Sequence, residues 1–78
     1  MKKIDNSECL IGFGNFIREG RNRRDMLQSE VASQVGIAQS YYSTIENGAK
    51  DRNVDLVLAM KICRVLGLNL SDFIKQYM

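Results

Sequence analysis

The chain has 78 residues, 45% hydrophobic and 26% charged, with a formal net charge of +2. That length allows one domain with a modest core, about 60% of the unfolded surface being buried at this size, and the composition is that of an ordinary soluble globular domain. No apolar run reaches the roughly 20 residues that a bilayer span requires. The absence of histidine, of a phosphate-cradling glycine loop and of a nucleophile elbow argues against an enzyme, a metal site or a cofactor.

The opening MKKIDNSE breaks into polar residues before any apolar segment develops, which makes it a poor signal peptide. A cytoplasmic location is the expectation, with no membrane partner and no small-molecule effector. Cys9 and Cys63 sit far apart among aliphatic neighbours, a pattern that suits reduced, core-filling thiols better than a disulfide framework. The net charge says little about partners, but its distribution says more. Four arginines stand against one glutamate over residues 18–24, and Lys50 and Arg52 form a second basic cluster.

Punctuation comes from glycines and capping residues, since there is no proline. Residues 1–10 are weakly patterned and read as an N-terminal arm or the start of the first helix; residues 11–78 read as a single domain. Over 11–24, Phe13, Phe16, Ile17 and Gly20 follow the i, i+3, i+4, i+7 spacing of an amphipathic helix. Gly20 lies on the inner face, where close approach by a neighbouring helix would account for it. A second helix is predicted over 27–35, with Val31, Ala32 and Val35 inward and Gly36 at its left-handed end. A third is predicted over 39–47, with Tyr42 and Ile45 inward, Ala49 inward beyond its end, and Gly48 closing it. Two short helices joined by a glycine-containing turn make a helix-turn-helix unit.

Asp55 opens a fourth helix as its N-cap, and Gly67 closes it. Leu56, Ala59, Met60, Cys63 and Leu66 form one apolar stripe, widened by Val57, Leu58, Ile62 and Val65. Such a helix must be buried on several sides, either as the central helix of the bundle or partly by another copy of the chain. Asn69 caps a fifth helix, with Asp72 at its third position and Leu68 and Phe73 spaced as a hydrophobic staple.

The chemistry of the third helix is unusual for a merely solvated surface. Its outward positions Ser40, Thr44 and Asn47, flanked by Ser43, with Gln39 at the entrance, are neutral amides and hydroxyls. Base edges in the DNA major groove offer neutral donors, acceptors and the thymine methyl, which such side chains can read. Phosphate contacts, which supply much of the affinity, fall to Lys50 and Arg52 beyond the helix and to Arg23 or Arg24 near the second helix. Gln28 at the start of that helix is a further candidate, and Tyr41 is assigned to the groove wall or a phosphate.

In register, Gln28, Glu30, Ala32, Gly36, Ile37, Gln39, Ser40, Ile45, Glu46, Asn47 and Gly48 closely resemble the Cro/repressor-type (XRE, lambda-repressor-like) helix-turn-helix family. The resemblance extends over residues 13–74 and implies an all-α, five-helix domain that binds double-stranded DNA as a transcriptional repressor or regulator, usually as a homodimer. By position it implies base reading by Gln39, Ser40 and Thr44, backbone contacts by Gln28, Asn47 and Lys50, and an internal ion pair between Arg21 and Glu46. Leu27 and Ala38 stand where the family usually has Ser or Thr, and Val54 where Pro is common. Asp25 is then a possible cap one turn earlier. Dimerisation is expected through the fifth helix and the outer face of the fourth, with Leu68, Phe73, Ile74 and Tyr77 as anchors, unless these residues complete the monomer core. The competing reading is a protein-binding module or antitoxin-like partner that keeps the fold.

Overall fold

The first helix, α1 (Asn6–Arg23), starts earlier than its apolar pattern does, because Asp5 caps it. The Asp5 carboxylate accepts from the Ser7 N–H at 2.7 Å and lies 3.4 Å from that of Glu8, satisfying donors that the first helical turn leaves free. Four further helices follow: α2 (Gln28–Val35), α3 (Gln39–Glu46), α4 (Leu56–Leu66) and α5 (Leu70–Tyr77). The computed structural model describes residues 5–48 and 54–77, with the side chain of Tyr77 excepted. Ala49, Lys50 and Arg52 therefore lie outside the described residues. Every described element is helical, so the domain is all-α.

Local chemistry sets the boundaries. Asp25 adopts a left-handed φ of 52°, a conformation that Asp tolerates better than most residues. It turns the chain between α1 and α2 and is not the cap of α2 considered from the sequence. Leu27 occupies that cap position and has no side-chain acceptor to offer; only the reciprocal bond forms, from the Leu27 N–H to the Glu30 carboxylate at 2.8 Å. Gly36 and Gly67 end α2 and α4 in left-handed geometry. Asp55 caps α4 through the Leu58 N–H at 2.9 Å, and Asn69 caps α5 through the Ser71 N–H at 3.1 Å.

All five helices feed one core, in which Ile17, Val31, Tyr42, Ile45 and Ile62 are fully enclosed. Helix α5 docks through Phe73, whose ring meets Phe13 edge-on at 5.4 Å between centroids and Phe16 at 5.5 Å. Aromatic contacts of this kind favour such offset or tilted geometry. Phe73 is only 6% exposed, so the dimer-anchor role expected of it is replaced by one in the monomer core. Leu68 is half-buried, and its side chain fills the notch left by Gly20. The close approach at Gly20 thus involves a side chain from the α4–α5 turn and no neighbouring helix. Ile74 remains exposed.

Helix α4 shares Ala59, Cys63 and Leu66 with the expected stripe but is rotated so that Leu58 and Ile62 take the inner places of Leu56 and Met60. Leu58, Ala59, Ile62, Cys63 and Leu66 face the core, whereas Leu56, Val57 and Met60 are 66%, 61% and 54% exposed. Both sets are apolar, so periodicity alone could not choose between them. Cys63 is buried, which pushes its thiol up to about 11, and both cysteines are free. No described helix is long and apolar enough to cross a membrane, and no cluster of potential metal ligands occurs among the described residues.

Helices α1 and α3 approach closely at Gly14, where a Cβ would fall 2.8 Å from the Ile45 carbonyl oxygen and closer still to that of Glu46. These are backbone atoms and cannot swing aside. Gly14→Ala is expected to destabilise the domain by about 1–3 kcal/mol in urea denaturation, despite the better helix propensity of alanine. Gly20→Ala is expected to cost less than about 1 kcal/mol, because the Leu68 methyls it meets can rotate away.

Candidate nucleic-acid interface

Helix α3 has only eight residues, too few to be stable alone. It is held by its inner face and its C-terminal end. Tyr42, Ile45 and Glu46 are buried, while Gln39, Ser40, Thr44 and Asn47 are exposed and Tyr41 and Ser43 are half-buried. The structure therefore brings the three expected base readers to one solvent-facing surface. The Thr44 hydroxyl donates to the Ser40 carbonyl at 2.9 Å, which leaves its lone pairs and methyl group to face outward. Ala38 provides no side-chain cap, so the entrance of α3 is open.

Glu46 is a buried carboxylate, 2% exposed, at the junction of α1, α2 and α3. Arg21 grips it in bidentate fashion, Nε to Oε2 at 2.7 Å and Nη2 to Oε1 at 3.1 Å, and also donates to the Met26 carbonyl at 2.9 Å. The Gln28 amide donates to Oε1 at 3.1 Å. Gln28, expected to contact the DNA backbone, thus commits one of its two amide N–H donors to an internal carboxylate. The Tyr42 hydroxyl is buried beside Glu46 and Arg21. Burial, reinforced by the neighbouring carboxylate, pushes that phenol well above its ordinary range. For Glu46, burial pulls the pKa upward, but the groups facing it, Arg21 first and then Tyr42 and Gln28, outweigh burial and hold it below the ordinary carboxylate value.

Arg18 has a role that sequence reasoning missed. Its Nη2 donates to the Glu46 carbonyl oxygen at 2.6 Å and to Asn47 Oδ1 at 3.2 Å, Nη1 donates to Asn15 Oδ1 at 3.1 Å, and Nε lies 3.6 Å from Glu46 Oε1. The signal was present as spacing: Gly14, Arg18 and Arg21 recur at i, i+4, i+7 on one face of α1. Arg23 and Arg24 are exposed. The Arg24 guanidinium lies against Gly67 at the C-terminal end of α4.

A family model described as helix-turn-helix matches residues 17–73. The chain belongs to the XRE-type helix-turn-helix family. This is a family of DNA-binding transcription regulators. The chain is 43% identical over 67 residues to the control protein C.MunI of Mycoplasma sp, with 85% of this chain and 88% of that relative covered. It also superposes on the crystal structure of the restriction-modification controller protein C.AhdI from Aeromonas hydrophila with a TM-score of 0.72. The two are 31% identical, and the match covers 82% of this chain and 94% of that one.

The lowered pKa of Glu46 makes a signed expectation. Its contribution to stability is fully present above the ordinary carboxylate value of the unfolded chain, about 4.3, and is lost as pH falls through the lower folded value. Glu46→Gln should flatten this acid limb of the stability curve in denaturant titrations at a series of pH values. Arg21→Met, which leaves the carboxylate buried without its main partner, should cost about 3–5 kcal/mol in the same assay at neutral pH.

Proposed function

We propose that this helix-turn-helix protein is a sequence-specific regulator of transcription that lays α3 in the major groove of double-stranded DNA. Gln39, Ser40 and Thr44 read bases, Asn47 and Ser43 flank them, and Lys50, Arg52 and Arg23 hold the phosphate backbone. One observation carries the reading: α3 is pinned from behind by a buried ion pair, and its free face is made of uncharged hydrogen-bonding side chains. A surface kept only for solubility needs no such rigid support. Function is by binding, without catalysis. The descriptions of C.MunI as a control protein and of C.AhdI as a restriction-modification controller support a controller role of that kind for this chain.

The reading includes a homodimer on an inverted repeat, with the paired α3 helices about 34 Å apart. The exposed Leu56, Val57 and Met60 on α4, with Ile74 on α5, support an interface there; Phe73 is not available to it. Sedimentation should show dimers at micromolar concentration or on DNA, and Met60→Glu should shift them toward monomer. A wild-type chain that stays monomeric both free and with DNA contradicts the dimer.

Selection of bound sites from a random duplex library should enrich an inverted repeat. Gln39→Ala should then change the base preferred at one half-site position, by about 1–3 kcal/mol of discrimination. Lys50→Ala should instead weaken all sequences about equally and lower the salt dependence of binding. Binding that is absent, or insensitive to salt, would favour the protein-binding alternative.

A further inference from the structure

We infer that Arg18 is a positioning residue for DNA binding: it turns the Asn47 amide so that its N–H donors face outward to a phosphate. The inference rests on the DNA-binding reading above and adds a residue to it.

Four observations converge on the C-terminal end of α3. Gly14 lets the backbone of α1 come into contact with the carbonyls of Ile45 and Glu46. One turn further along α1, Arg18 donates to the Glu46 carbonyl at 2.6 Å, one of the acceptors that a helix end leaves without an intrahelical partner. No basic residue lies in the last turn of α3, so the positive charge that suits a helix C-terminus comes from Arg18 and Arg21 on α1. The same Arg18 nitrogen reaches Asn47 Oδ1 at 3.2 Å, and Asn15 Oδ1 steadies the other arm of the guanidinium at 3.1 Å.

The chemistry dictates which way Asn47 points. A guanidinium has donors only, so the atom of the Asn47 amide that faces it must be the oxygen. The amide nitrogen then lies on the opposite side. Asn47 is exposed, so its two N–H donors face solvent at the rim of the reading helix. Free in solution, the amide of an exposed Asn samples both orientations; Arg18 selects the one that offers donors and withdraws the one that would present an oxygen to an anionic phosphate. Arg18 itself is occupied by Glu46, Asn47 and Asn15. It acts through Asn47 and is not a phosphate ligand.

The test measures DNA affinity as a function of salt for wild type, N47A, R18K, R18M and the R18M/N47A double variant. Two probes serve: a duplex selected by the wild-type chain from a random library, and a mixed-sequence duplex. Affinities are compared under conditions where circular dichroism shows each variant folded, and R18K carries the test should R18M not fold. N47A, R18K and R18M are each expected to weaken binding to both duplexes roughly 3- to 10-fold per bound copy, the value of one solvent-exposed hydrogen bond from a neutral donor. The double variant should bind no more weakly than N47A alone, and the slope of log K against log salt should not change.

A slope reduced by about 0.9 per copy in R18M would mean that Arg18 neutralises a phosphate directly, and overturns the inference. So does a double variant weaker than N47A, or an R18K and R18M that bind as wild type. If the wild-type chain binds neither duplex, the DNA-binding reading itself fails and takes this inference with it; if wild type binds and the Arg18 variants are neutral, only the inference fails.

Discussion

The arrangement of this domain depends on a single buried carboxylate. Removing Glu46 from water costs several kcal/mol on its own, and the cost is offset only because Arg21 approaches with the planar, two-point geometry that a carboxylate matches. Gln28 supplies a further donor from α2. One side chain from α3 is thereby joined to α1 and α2 at once. An apolar contact at this position would bind the helices together but would tolerate rotation about the axis of α3. A bidentate ion pair tolerates little, so it determines which residues of α3 face outward.

The surrounding structure serves that junction. Gly14 removes the side chain that would hold α1 away from the end of α3, and Arg18 adds a second cation where carbonyls are exposed. Tyr42 fills the space beneath with its ring, and its hydroxyl lies beside the ion pair. At the other end, α3 begins with Ala38 and α2 with Leu27, neither of which offers a side-chain cap, whereas α1, α4 and α5 are all capped by Asp or Asn. The two helices of the helix-turn-helix unit are therefore stabilised by tertiary contacts more than by their own termini, so their stability is tied to that of the whole core.

That core is small, and its apolar residues are divided between two tasks. Phe73 joins α5 to the phenylalanines of α1, while Leu56, Val57 and Met60 remain on the outside of α4. A short chain that leaves three large apolar side chains on one helix in water forgoes stabilisation it can ill spare. A partner surface there would restore it, which links the proposed dimer to the stability of the monomer.

Much of this was legible in the chain itself. Glycines at 36, 48 and 67 and the acceptors Asp55 and Asn69 mark helix boundaries, because left-handed turns and free N–H groups are local demands that a single residue meets. The alternation of Tyr42 and Ile45 with Ser40 and Thr44 separates the inner from the outer face of α3 for the same reason: helical periodicity is a property of neighbours in sequence. The start of α1 at Asn6 is one of the two readings that residues 1–10 leave open, because Asp5 precedes any apolar pattern. Only the tertiary structure decided which side of the broad apolar face of α4 is buried, that Phe73 belongs to the monomer, that Gln28 turns inward, and that Arg18 holds Glu46 and Asn47. Each of these depends on what lies across the gap between helices, and a residue's own neighbours along the chain carry no record of that.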